Sequence, residues 1–144
     1  MIWLLRHGDA EEGSPDAGRP LTPKGERQAR DAGAALARLG VRFDACLTSP
    51  RVRAADTARL ACDALGLEPR VEERLSGGAF DPEELAAGEG EEVLLVGHEP
   101  DFSDAVRRLG GGRVKLKKGG LAVLACGELH LLMRPTELAA IAHP

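Results

Sequence analysis

Two histidines stand where apolar runs of this chain stop. Met1-Ile2-Trp3-Leu4-Leu5 ends in Arg6-His7-Gly8-Asp9, and Val93-Leu94-Leu95-Val96 ends in Gly97-His98. A strand buried on both faces reads as a continuous apolar run, and in open α/β sheets ligands bind just outside the carboxyl ends of such strands. If the two runs are neighbours in a parallel sheet they lie ~4.8 Å apart, and both imidazoles share one site. Arginines decide what that site handles. Arg6 precedes His7 directly, and Arg53 enters from the helix that opens in Ser49-Pro50-Arg51-Val52-Arg53-Ala54. A metal would call for carboxylates or further histidines, whereas adjacent guanidinium groups repel a cation and match phosphate oxygens bidentately. The group therefore reads as a dianion site. A neutral imidazole nitrogen can attack phosphorus there and form a covalent phosphoenzyme, in a reaction that is largely positioning and charge stabilisation. A cationic surround holds a histidine neutral near pH 7, which makes His7 the candidate nucleophile.

The elements that must position these residues alternate between strand-length apolar runs and stretches of helical period. That is the grammar of βαβ units around a mostly parallel sheet. Thr22-Pro23 reads as an N-cap with proline at the first helical position, and that helix stops at Gly40. Gly25 sits where the capping-box glutamate would be, so Thr22 lacks its reciprocal partner. Residues 44–48 read as a strand, 52–65 as a helix ended by Gly66, and 70–75 as a poorer third strand. Asp81-Pro82-Glu83-Glu84-Leu85 opens a short helix. The runs 121–125 and 128–133, broken by Gly127, predict a terminal hairpin, and Gly110-Gly111-Gly112 a turn. The expected architecture is one three-layer α/β/α domain over residues 1–144, its central sheet mostly parallel and flanked by helices.

Composition limits the function. A chain of 144 residues buries roughly two-thirds of its unfolded surface without staples. Its formal net charge of −4 argues against sequence-independent nucleic-acid binding, which depends on neutralising phosphates. Cys46, Cys62 and Cys126 are widely spaced and form no CxxC, which predicts neither a disulfide framework nor a zinc site and fits a reducing compartment. No apolar run approaches the ~18 residues of a membrane span, and none reads as a signal peptide. The expectation is a cytoplasmic protein with no membrane or nucleic-acid partner.

Arg6-His7-Gly8 after a first strand, Ser49-Pro50-x-x-Arg53-Ala54-x-x-Thr57 opening a helix, and Gly97-His98 after a late strand resemble, in that order, the histidine phosphatase superfamily. This is also called the phosphoglycerate mutase-like family. The short length, Arg6-His7-Gly8-Asp9-Ala10, Arg19-Pro20-Leu21-Thr22 and Gly97-His98-Glu99-Pro100 are most similar to its SixA-type phosphohistidine phosphatases. The tripeptide alone is a weak signal, whereas the ordered triple is specific. The resemblance implies the phosphoglycerate mutase-like fold, with His7 as the phosphorylated nucleophile. It implies Arg6, Arg53 and His98 around the phosphoryl oxygens, Arg19 as a further oxyanion contact, and no metal or cofactor. One departure concerns the proton donor that the larger family supplies after its third strand. Glu72 and Glu73 fall near that point in chain order without the expected context, and Asp9 and Glu11 are nearer His7 in sequence. The donor is left unassigned. The P–N bond of phosphohistidine breaks readily once its imidazole is protonated, so it needs less acid catalysis than an alkyl ester.

Three functions follow from this reading. The first is hydrolysis of phosphohistidine on a phosphorelay or phosphotransfer protein, favoured because no insertion is long enough to form a lid. The second is a broad phosphomonoesterase acting on small phosphorylated metabolites, and the third a phosphohistidine-binding module without turnover. Plainer readings are given to other groups: Arg51 is a solvated helix face, and His130 and His143 are structural or surface residues. Lys115, Lys117 and Lys118 read as a solvated hairpin edge, with docking of an acidic partner the lesser alternative.

Overall fold

The computed structural model describes residues 1–144. The opening apolar run becomes β1 (Ile2–Arg6). It is followed by α1 (Pro23–Arg38), β2 (Ala45–Thr48), α2 (Val52–Leu65), β3 (Pro69–Val71) and α3 (Pro82–Ala86). The second half holds β4 (Val93–Gly97), α4 (Asp101–Gly110), β5 (Leu121–Ala125), β6 (Glu128–Met133) and α5 (Pro135–Ala142). The six strands form one sheet in the order β3-β2-β4-β1-β5-β6. β4 lies in its middle with every residue buried, which is why its sequence is apolar without a break. Pairings β3·β2, β2·β4 and β4·β1 are parallel, and β1·β5 and β5·β6 antiparallel, so the sheet is mixed.

Alternation along the strands divides the core into two layers. Trp3 and Leu5 of β1, with Leu94 and Val96 of β4, pack against Leu36, Ala54, Ala58 and Leu138 of α1, α2 and α5. Leu4, Val93 and Leu95 point the other way, against Leu85 of α3 and Phe102 and Val106 of α4. Each fully buried leucine contributes about 1.5–3 kcal/mol relative to exposure, and a one-residue slip would turn every one of them to the wrong face. That penalty locks the register. Arg6 lies opposite Gly97 and Thr48 opposite Val96. Beyond the strands, His7 N–H donates to Gly97 O and Ser49 N–H to Val96 O, both at 3.0 Å. His7, Ser49 and His98 thus leave three adjacent strands at one edge of the sheet.

Several local expectations change. The strand expected over 70–75 is only β3, followed by a 3-10 turn at Glu73–Leu75. Glu72 accepts the Arg74 N–H at 3.0 Å and so starts that turn, which buries Leu75. The strand expected from residue 44 starts at Ala45, because Asp44 caps the neighbouring turn by accepting the Glu91 and Glu92 N–H groups. Helices α4 and α5 escape the sequence reading. α4 is short and buries only Phe102, Ala105 and Val106, too few positions for a clear helical period. Lys115, Lys117 and Lys118 lie in the segment before β5 and not on a hairpin edge. The β5–β6 hairpin does turn at Cys126 and Gly127, both at positive φ, as a type I′ turn requires. No helix is long and apolar enough to cross a membrane.

Candidate active site

His7 follows the last residue of β1 and is 6% exposed. Its Nδ1–H donates to Gly8 O at 2.7 Å, which leaves the Nε2 lone pair free. Burial, reinforced by the charges of Arg53, Arg6 and Lys118 and opposed by the Gly8 bond, pushes His7 down to about 4. The ring is therefore neutral at pH 7, chiefly because it is buried, with the cationic surround a smaller cause. The turn after it is clamped. Gly8 N–H donates to Thr57 Oγ1 at 3.0 Å, and Thr57 Oγ1–H donates to Arg53 O at 2.7 Å. A methyl group on Gly8 would sit 2.5 Å from Gly25 O, and one on Gly25 would sit 2.0 Å from Asp9 O. The first turn of α1 can approach the His7 loop only with glycine at both positions. This also explains the missing capping box: Thr22 accepts the Gly25 N–H at 3.0 Å and gives its own hydroxyl to Asp9 at 2.9 Å.

His98 faces His7 with ring centroids 5.2 Å apart. Its Nε2 is 2.7 Å from Ser49 Oγ. Ser49 Oγ also accepts the Arg51 N–H at 3.2 Å; in the tautomer in which its hydroxyl proton goes to His98 Nε2, the His98 proton stands on Nδ1. Burial, then the neighbouring His7, Arg53 and Arg51, pushes His98 down to about 3.

Arg53 is 6% exposed at the start of α2, and both of its Nη groups are held by Asp16. Nη1 donates to Asp16 O at 2.9 Å and Nη2 to Asp16 Oδ2 at 3.2 Å. The same carboxylate pairs with Arg51 and, at 3.0 Å, with Arg19 Nε. Arg19 also donates to Glu11 O at 3.0 Å, so it orders its own loop and reaches Arg53 only through Asp16. Arg51 donates to Ser76 O at 2.6 Å, and so is a bridge and not a free helix face. Arg6 leaves the end of β1 and gives Nη1 to Leu116 O at 2.9 Å.

One pattern unites these residues. Arg6 Nε, Arg53 Nε and His98 Nδ1 are the only buried side-chain nitrogens or oxygens with no hydrogen-bond partner in the protein. An unsatisfied buried donor costs about 1–3 kcal/mol, and a domain is stable by only about 5–15 kcal/mol. Two guanidinium N–H groups and an imidazole nitrogen without partners, from three elements, with the arginine charges acting on a neutral His7, are a poor arrangement for stability and a good one for an anion.

Of the carboxyl groups weighed as acids, Glu72 and Asp9 are engaged elsewhere. Arg74 holds Glu72 down to about 2. Thr22 and Lys118 hold Asp9 below the usual carboxylate range. Glu11 and Glu73 are exposed. Asp101, which accepts the Gly78 N–H at 3.1 Å, is the one carboxyl pushed up, by burial. Sequence reasoning did not single out Asp16 or the Ser49 hydroxyl. An Asp three residues before Arg19 is a common surface spacing, and nothing local shows that the loop folds back onto α2.

The model of the histidine phosphatase superfamily (branch 1) matches residues 2–85. An uncharacterized protein of Picosynechococcus sp. is 36% identical over 144 residues, covering 90% of this chain and 87% of the relative. The structure of a SixA protein histidine phosphatase complexed with tungstate superposes with a TM-score of 0.81 at 25% identity, over 95% of this chain and 98% of that one. The alpha-ribazole phosphatase from Shigella flexneri shares the fold at 20% identity, with a TM-score of 0.71 over 93% of this chain and 96% of its own.

Proposed function

This chain belongs to the histidine phosphatase superfamily, and we propose that it hydrolyses phosphohistidine carried on a protein, through a covalent intermediate on His7. The observation that carries the reading is the set of three unpartnered buried nitrogens, Arg6 Nε, Arg53 Nε and His98 Nδ1, together with a neutral His7. With Nδ1–H fixed on Gly8 O, Nε2 attacks phosphorus. The P–N bond to the substrate imidazole breaks, its electron pair returns to that nitrogen, and the nitrogen takes up a proton. Charge spreading over the equatorial oxygens is met by Arg6 Nε, Arg53 Nε and His98 Nδ1. Water then attacks the phosphorus held on His7 and releases phosphate, restoring the neutral imidazole. The residues around His7 are cationic, a donor set that repels a metal ion, and we read the reaction as metal-free.

Two observations favour phosphohistidine over an ester. Asp9 and Glu72 are ionised and engaged by Lys118, Thr22 and Arg74, and an imidazole leaving group needs less acid than an alkoxide. SixA, at 25% identity, is described as a protein histidine phosphatase. The fold shared with an alpha-ribazole phosphatase supports the second reading, a phosphomonoesterase acting on small metabolites.

Comparing kcat/KM on a phosphohistidine protein with that on simple phosphomonoesters separates the two, and a clear preference for esters overturns the first. His7→Ala should abolish turnover of both substrate classes, with a loss of at least about 10³-fold. It should also remove the acid-labile phosphoryl label that the wild-type protein acquires. Retained turnover would sink the nucleophile assignment.

A further inference from the structure

Adjoining the site, and sharing Arg6 with it, is a cleft of about 450 Å³ whose walls are polar or charged except for Pro135. Lys24, Lys115, Lys117, Lys118 and Arg134 line it with Arg6, so six of the chain's 19 lysines and arginines gather there, in a protein of net charge −4. Asp9 is the one carboxylate in the lining, and it pairs with Lys118 at 3.2 Å. Arg134 pairs with Glu137 at 2.9 Å. Lys24, Lys115 and Lys117 pair with no carboxylate.

The positions of these charges are built into the fold. Leu116 is 1% exposed in the core layer beneath α4, and the lysines on either side of it are exposed. The segment is tied to the site by Arg6 Nη1 on Leu116 O and by the Gly119 N–H on His7 O at 2.9 Å. Lys24 comes from the first turn of α1, and Thr136 from the first turn of α5, so two helix N-termini add their positive ends to the same wall.

The chemistry of the wall selects its occupant. Pockets for small organic ligands are mostly apolar, and the one apolar side chain in this lining is Pro135. Four of the six cations are lysines, mobile point charges, and the two guanidinium forks are already engaged, Arg6 on Leu116 O and Arg134 on Glu137. Nucleic acid would call for aromatic stacking platforms, and the lining has none. Several unpaired ammonium groups on an open wall steer and hold a surface that carries several carboxylates. We propose that this cleft docks an acidic patch beside the phosphohistidine of the protein substrate. The proposal rests on the phosphohistidine reading above.

The test uses three substrates: a phosphohistidine peptide flanked by aspartates, the same peptide flanked by asparagines, and free phosphohistidine. The wild type should prefer the acidic peptide by at least about 10-fold in kcat/KM at low ionic strength, and the preference should shrink as salt is raised. Lys115→Glu/Lys117→Glu should lose the preference while turnover of free phosphohistidine stays within about twofold, because the loss lies in encounter and not in chemistry. Lys24→Glu, on a different element, should reproduce that loss and so exclude local damage to the loop. Equal turnover of the two peptides by the wild type overturns the docking surface and leaves the phosphohistidine reading standing. A wild type that hydrolyses p-nitrophenyl phosphate but none of the three overturns that reading, and the partner with it. Inhibition by a short oligonucleotide where polyaspartate has no effect assigns the cleft to nucleic acid and also overturns the proposal.

Discussion

His7 gives its Nδ1–H to Gly8 O, and Arg53 gives both Nη groups to Asp16. Each side chain that would meet the phosphoryl group is therefore oriented by a second group that leaves its reactive nitrogen unengaged. Asp16 has the widest reach, since Arg19, Arg51 and Arg53 all end on its carboxylate. Asp16→Asn keeps an oxygen for one arginine and removes the charge that holds three together. We expect kcat/KM to fall about 10- to 100-fold, in the range of a misplaced positioning group, with the protein folded and KM and kcat both affected. Steady-state kinetics beside a thermal melt check this. An unchanged kcat/KM would show that Arg53 is held by its burial in α2 alone.

At the scale of elements, the edge where β1, β2 and β4 end is made into a site by what packs against it. The first turn of α1 meets the Gly8-Asp9 backbone through Gly25, and a Cβ there would stand 2.0 Å from Asp9 O. Neither side of that contact is a movable side chain. Gly25→Ala should therefore force α1 and the His7 loop apart, costing about 1–3 kcal/mol as other overpacked contacts do, and lower kcat by disturbing Gly8. Urea denaturation measures the first effect and single-turnover kinetics the second. A variant as stable and as fast as wild type would show that the loop shifts freely. Little of this contact was legible in the sequence. Gly25 looked like a missing capping-box glutamate, because its constraint comes from a loop 16 residues away in the chain, at Asp9.

For the whole molecule, the two histidines tie stability to pH. Their folded values, about 4 for His7 and about 3 for His98, lie below the ordinary 6.5, with burial the first cause in both. Between those values the unfolded chain binds more protons than the folded one, so stability rises with pH across that window and is lost as pH falls through it. Glu72 and Glu137, held at about 2 against an ordinary 4.5 by Arg74 and Arg134, act lower down. The interval from pH 6.5 to 4.5 therefore reports chiefly on the histidines, with Asp101, the carboxyl pushed up by burial, acting in the opposite sense. Urea midpoints should fall as pH is lowered across it, and less steeply in His98→Asn; a flat profile would contradict the burial of neutral rings. The sequence by itself determined the strands other than β3, the helices α1, α2 and α3, and the His7, Arg53 and His98 motifs. Apolar runs, caps and motif spacing are local properties, written in neighbouring residues. Only the tertiary structure decided that β1 and β4 lie side by side, that α4 and α5 close the two core layers, and that Asp16 and the Lys115 segment fold back to the same edge. Those contacts join residues far apart in the chain. Their energies come from burial and charge pairing that no local window of sequence contains.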